Sequence, residues 1–277
     1  MGAEMRKLAI LLALLCPAIG INGAWAADYS VAAQKAENAP PPLLTPTFSA
    51  VGTLSATWTD NALFSRDNRR GDGFLEPDIT LRMDGWLTPD LAYRLYVRTE
   101  LETFSREKDA NAAFALWGAR LTRNVAGWSA SVIYENRYQF AGVYDERLFT
   151  AHDIKGALAN SYTFGTVTLS PFVQGRYRFA DLLEAEYARL DLALGIEAAL
   201  NERWSIVSEP FFEAYWFTGS LNSGRADQIY SVSLGLKYNI TRNVSLVAMI
   251  AYEQRFSNVD DRQYRSLDIG PKLNFAF

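Results

Sequence analysis

The chain contains a single histidine, His152, and a single cysteine, Cys16. Histidine is the side chain that works as a general base near neutral pH, and a thiolate is a strong nucleophile. Their scarcity bounds the chemistry. Asp153 follows His152 directly, but neighbouring side chains on a strand point to opposite faces, so the two are poor partners as base and orienting acid. A lone histidine with no thiol beside it does not build a zinc site of the usual kind. Glu76, Asp78, Glu100 and Glu102 are the one group of carboxylates where a calcium hypothesis arises, because hard cations prefer several oxygens. No metal site is assigned there. Gly71-Asp72-Gly73 reads as a turn and not as a phosphate loop. The expectation is a protein that is not an enzyme, with no catalytic residue, cofactor or metal.

The remaining charges sit in a regular pattern. Ile79, Leu81 and Met83 alternate with Asp78, Thr80, Arg82 and Asp84. Leu190, Leu192, Leu194 and Ile196 alternate with Arg189, Asp191, Ala193, Gly195 and Glu197. The run from Tyr230 to Ile240 and the run from Leu267 to Phe275 repeat the pattern. Period two over such lengths is the signature of a strand whose two faces meet different surroundings.

Twelve such segments follow one another from Phe48 to Phe277, each about 12–15 residues long. Short turns such as Thr88-Pro89-Asp90 and Phe164-Gly165 alternate with longer polar loops. Strands of soluble β-proteins usually run about 5–6 residues, whereas a tilted transmembrane strand needs about 9–11 in hydrocarbon plus its ends. The pattern predicts an all-β fold, a transmembrane antiparallel up-and-down β-barrel of about 12 strands, with 10 or 14 as alternatives.

Three regions divide the chain. Residues 1–26 read as a secretory signal: Arg6 and Lys7, an apolar run from Leu8 to Leu15, and Ala24-Trp25-Ala26 as the cleavage pattern. Cys16 leaves with it, so no thiol chemistry is expected of the mature chain. Residues 27–46 end in Pro40-Pro41-Pro42 and Pro46 and read as an extended periplasmic lead. Residues 47–277 are the barrel. The whole chain has 27 basic and 31 acidic residues, a net charge of −4, which gives no case for nucleic acid.

In such a barrel the apolar sets face lipid and the alternate sets face the lumen. The expected lumen-lining residues are Glu76, Asp78, Arg82, Asp84, Arg94, Arg98, Glu100, Glu102, Arg137, Lys155, Arg176, Arg178, Arg189, Asp191, Glu213, Glu253 and Asp268. Centring the hairpin turn at 88–90 places Asp84 opposite Arg94, and Glu76 and Asp78 near Glu100 and Glu102. Arg137, Lys155, Arg176 and Arg178 crowd on strands five to seven, so an acidic wall facing a basic wall is expected. Trp128, Trp204, Tyr238 and Phe277 are the expected aromatic girdle on the periplasmic side. Tyr138, Phe179, Trp216, Tyr230 and Tyr252 are the expected girdle on the outer side.

The signal, the hairpin series and the last residues together resemble the Gram-negative outer-membrane β-barrels of porin-like class. Phe277 ends the chain, with Phe275, Leu273 and Ile269 on the same face. The resemblance implies recognition of Phe277 by the barrel-assembly machinery, a place in outer-membrane lipid and lipopolysaccharide, and both termini on the periplasmic side. It implies a channel for passive diffusion of small hydrophilic solutes, with a non-conducting structural or adhesive barrel as the alternative. Lipid-active and proteolytic barrels of this class need histidine. The His-x-Ser pattern of the phospholipases is missing, because Ile154 stands in its third position.

Overall fold

The computed structural model describes residues 45–219 and 222–277. The signal expected over 1–26, and the lead over 27–46 up to residue 44, lie outside the described residues. The wall is built from twelve strands: β1 (Thr47–Thr59), β2 (Asp72–Thr88), β3 (Leu91–Phe104), β4 (Ala112–Val125), β5 (Trp128–Ala141), β6 (Glu146–Ala159, continued by Tyr162–Phe164), β7 (Val167–Ala180), β8 (Tyr187–Ala199), β9 (Trp204–Phe217), β10 (Ala226–Asn239), β11 (Val244–Ser257) and β12 (Tyr264–Ala276). Each strand pairs antiparallel with the next, and β12 pairs with β1, so the sheet closes. Phe277 finishes the seam: its N–H donates to the Ala50 carbonyl at 2.7 Å, and the Ala50 N–H donates back at 2.6 Å. Closure is what lets a sheet stand in hydrocarbon, since every strand then has two partners and no edge remains.

Side chains sort by parity. Leu192, Leu234 and Ile269 are 39%, 54% and 46% exposed, and Ile79, Val97, Val132, Val232 and Ile250 share their outer face. Their sequence neighbours Asp191, Ser233 and Asp78 are buried on the inner face. A soluble protein would invert this arrangement; here the apolar residues are outside because lipid is the solvent they meet. Aromatic pairs gather towards the wall's two ends. Trp204 and Tyr238 lie 4.6 Å apart at the short-turn end, and Tyr177 and Phe179 lie 4.6 Å apart towards the loop end.

The registers fix the width. A line of directly opposed residues starting at Thr47, the foot of β1, passes Asp84, Arg94, Arg120, Ile133, Lys155, Arg176, Arg189, Tyr215 and Asp227, and reaches Ser257 at the top of β11. The climb amounts to a stagger of about 18 residues over the full circuit. With strands about 4.8 Å apart and about 3.3 Å of rise per residue, that stagger tilts the strands by about 45° and sets a wall radius of about 13 Å.

Two departures from regular strands have local causes. The sixth strand breaks at Asn160 and Ser161 before Tyr162–Phe164 continues it. Asn160 Oδ1 accepts the Ser161 N–H at 2.7 Å, a side-chain bond that competes with the ladder. Across from Asn160 stands Pro171, which has no N–H to give. Pro77, Pro210 and Pro271 likewise interrupt one ladder each while keeping their partners Leu54, Val232 and Ala248 on the other side.

Candidate functional site

The candidate site is the lumen. At its waist Asp153 on β6, 0% exposed, faces two arginines of β7. Arg178 Nε and Nη2 donate to its two oxygens at 2.7 and 2.8 Å, and Arg176 Nη1 stands 3.8 Å away. Next to it on β6, Lys155 donates to Glu135 of β5 at 2.6 Å, and the Tyr96 hydroxyl of β3 reaches the same carboxylate at 2.6 Å. On β8 and β9, Arg189 joins Asp191 at 2.6 Å to Glu213 at 2.9 Å, and the Tyr215 hydroxyl donates to Glu213 at 3.0 Å. Tyr264 donates to Glu253 at 2.5 Å.

The sector of β2 and β3 begins with Asp84, whose ion pair with Arg94 measures 2.6 Å. Asp78 and Glu100 are directly opposed like charges, and Arg98 lies between them at 2.5 and 2.7 Å. Arg98 stands where the calcium hypothesis would put a cation, and among the described residues no group of three or more His, Asp or Glu is set to hold a metal. Glu76 accepts from Ser55 at 3.2 Å. Glu76, Asp268 and Lys272 border a cavity of about 20 Å³, the size of a water molecule. Glu102 and Arg82 lie on the inner parity of β3 and β2.

The two walls are not of single sign. The crowded bases of β5 to β7 enclose Asp153 and Glu135, and acids of β2 and β3 enclose Arg98. Charges removed from bulk water favour an opposite charge within hydrogen-bond reach, so most pairing is local. Glu102, buried with Glu76, Glu100 and Asp268 around it, keeps the acidic character expected of its sector. Arginines also stack on rings: Arg137 and Arg98 lie 3.9 and 5.3 Å from the Phe114 centroid, Arg178 4.9 Å from Tyr187, and Arg225 4.2 Å from Phe217.

Several inner residues escape a reading based on strand charges alone. Asp227 is buried between Arg255 of β11 and Arg225 of the preceding loop, the latter at 2.7 Å. Its parity with Ser231 and Ser233 placed it inside, but Arg225 comes from outside any strand. Phe114, Leu116 and Phe149 are apolar and buried on the inner face, and nothing in an alternation rule marks an apolar residue as luminal. His152 stays on the outer face. Its Nδ1 is 2.8 Å from the Tyr134 hydroxyl and 3.3 Å from Asn136 Nδ2, away from Asp153 and the lumen.

The family described as "Putative beta-barrel porin 2" matches residues 187–277, the last five strands and the end of the chain. No curated sequence relative matches the chain. A COG4313 outer membrane channel from Pseudomonas putida F1 superposes with a TM-score of 0.54 at 9% identity, covering 87% of this chain and 98% of its own. A bacterial polysaccharide outer membrane secretin gives 0.50 at 11%, covering 82% and 98%. Outer membrane phospholipase A from Escherichia coli gives 0.48 at 16%, covering 89% and 97%. Identities this low speak for the fold alone. Taken with the closed twelve-strand wall and its apolar exterior, the two structures that superpose at 0.54 and 0.50 show that the chain has the fold of an outer-membrane β-barrel.

Proposed function

We propose that the protein is a narrow outer-membrane channel through which small hydrophilic solutes pass by diffusion, with no bond made or broken. The observation that carries this reading is the way the lumen is closed. A wall of about 13 Å radius is too wide for its own backbone to fill. The waist is occupied by long polar side chains: Arg178, Arg189, Lys155, Glu213 and Tyr215. Polar side chains of this kind can exchange a protein partner for water, which a packed apolar core cannot do. The lumen also carries polar groups that a dry interior would leave unsatisfied. Ser266 Oγ and Asp268 Oδ1 are buried without a partner, and Asp268 lines the water-sized cavity. Water is the simplest partner for them.

Export by a cleaved signal, both termini on the periplasmic side, contact with lipopolysaccharide, and recognition of Phe277 by the assembly machinery belong to the same proposal. The even strand count and the short-turn end shared by Thr47 and Ala276 support the placing of the termini. The test is solute uptake into liposomes holding the refolded protein. Small charged and neutral solutes should enter faster than into empty liposomes, with a steep fall as solute size grows. Uptake equal to that of empty liposomes would reject the channel.

A non-conducting structural barrel is the second reading, favoured by one observation. Asp153, Gln174 and Ile229 are fully buried in the lumen, as in a filled barrel. It predicts no uptake for the wild type and none for waist variants with shortened side chains.

A further inference from the structure

Arg137 differs from most cations of the lumen. Arg94, Arg98, Lys155, Arg178, Arg189 and Lys237 each hold a carboxylate. Arg137 holds none among the described residues, and its Nε is buried without an acceptor. The Asp153 carboxylate, diagonal to it across the β5–β6 ladder, already has both oxygens engaged by Arg178. What fixes Arg137 is a ring: its guanidinium carbon lies 3.9 Å from the Phe114 centroid, in stacking contact. Its directly opposed neighbours are Leu116 on β4 and Ala151 on β6, both buried and apolar, and Phe149 precedes Ala151 on the same face.

This arrangement combines a held guanidinium, an unused hydrogen-bonding edge and an apolar stretch of wall on one side, with the charges of Asp153, Glu135, Arg176 and Arg178 on the other. The planar fork of arginine matches a carboxylate through two parallel N–H···O bonds. An apolar wall gives nothing to a small hydrated anion, but it does favour a ligand with a hydrocarbon or ring body. We propose that Arg137, Phe114, Leu116 and Phe149 form a subsite of the lumen for organic monocarboxylates with an apolar body. The proposal deepens the channel reading and relies on it for the ligand's way in and out.

The test uses the full folded barrel in detergent, with benzoate as the probe and acetate and chloride as controls. Calorimetric titration should show saturable benzoate binding and at least tenfold weaker acetate binding. R137Q should lose benzoate binding at least tenfold. R137K keeps the charge and much of the volume, so it serves if R137Q fails to fold. It should weaken binding several-fold, because an ammonium cannot make the paired bonds. F114L should narrow the gap between benzoate and acetate. Conductance in KCl is recorded on the same preparation. A barrel that conducts but neither binds benzoate nor is blocked by it overturns the subsite and leaves the channel standing. Benzoate binding lost in the Arg137 variants, from a barrel that never conducts, upholds the subsite and rejects the channel. Binding of equal strength in wild type, R137Q and R137K overturns the subsite.

Discussion

Arg178 grips Asp153 with both ends of its fork across directly opposed positions of β6 and β7, with bonds of 2.7 and 2.8 Å. The pair sits at the lumen waist, and Arg176 is 3.8 Å from the same carboxylate. Removing the acid strands the Arg178 guanidinium and takes one neighbour from Arg176, which keeps Gln174. Breaking one partner of a buried pair typically costs about 3–5 kcal/mol, most of it from the charge left behind. Asp153→Ala should therefore lower unfolding stability by about that amount in a urea titration of the barrel in lipid vesicles. Lumen water reaching Arg178 would reduce the loss, and a loss below about 1 kcal/mol would show that the waist is already well hydrated.

The two faces of β10 should answer differently to the same substitution. Leu234 lies mid-wall on the exposed face, and Ser233 beside it is buried on the inner face. Leu234→Arg puts a cation in hydrocarbon, at a cost of about 2–4 kcal/mol near the bilayer midplane. Ser233→Arg adds a cation to a lumen that already holds many, and should fold with a smaller loss in the same urea assay. Equal losses at the two positions would contradict the assignment of faces.

Among the contacts that hold the loop between β1 and β2, the buried Asn61 makes the most side-chain bonds. Asn61 donates to the carbonyls of Ser65 at 2.9 Å and Arg265 at 2.8 Å, and accepts from the Ser65 N–H at 3.0 Å. Asn61→Ala removes these bonds and leaves a buried amide and two carbonyls short of partners, a local cost of about 1–3 kcal/mol. Limited trypsin digestion of the folded barrel should then cut faster at Arg66, Arg69 and Arg70, while the wall strands stay intact. An unchanged cleavage rate would mean that the loop is held by other contacts.

Much of this architecture can be read from the sequence because a barrel wall is local. Parity alone orders Ile79 against Asp78 and Leu192 against Asp191, and a hairpin turn alone puts Asp84 opposite Arg94. What stays hidden is set by relations between distant residues. The stagger depends on every register in the circuit, including that of β12 against β1, so the barrel's width cannot be read from any one hairpin. The break at Asn160 needs Pro171 opposite it. The pairing of Asp153 with Arg178 in place of single-sign walls follows from registers combined with the cost of unpaired charge. The inward apolar patch of Phe114, Leu116 and Phe149 breaks the rule that a luminal position is polar.

The central claim is that long charged side chains close a wide wall and can move aside. Single-channel recording in planar bilayers tests it most directly, using the wild type and an Asp153→Ala/Arg178→Ala double variant that removes both partners and so leaves no stranded charge from the pair. The account predicts small discrete conductance steps for the wild type and clearly larger steps for the double variant. Folded barrels that give no steps in either form would contradict it.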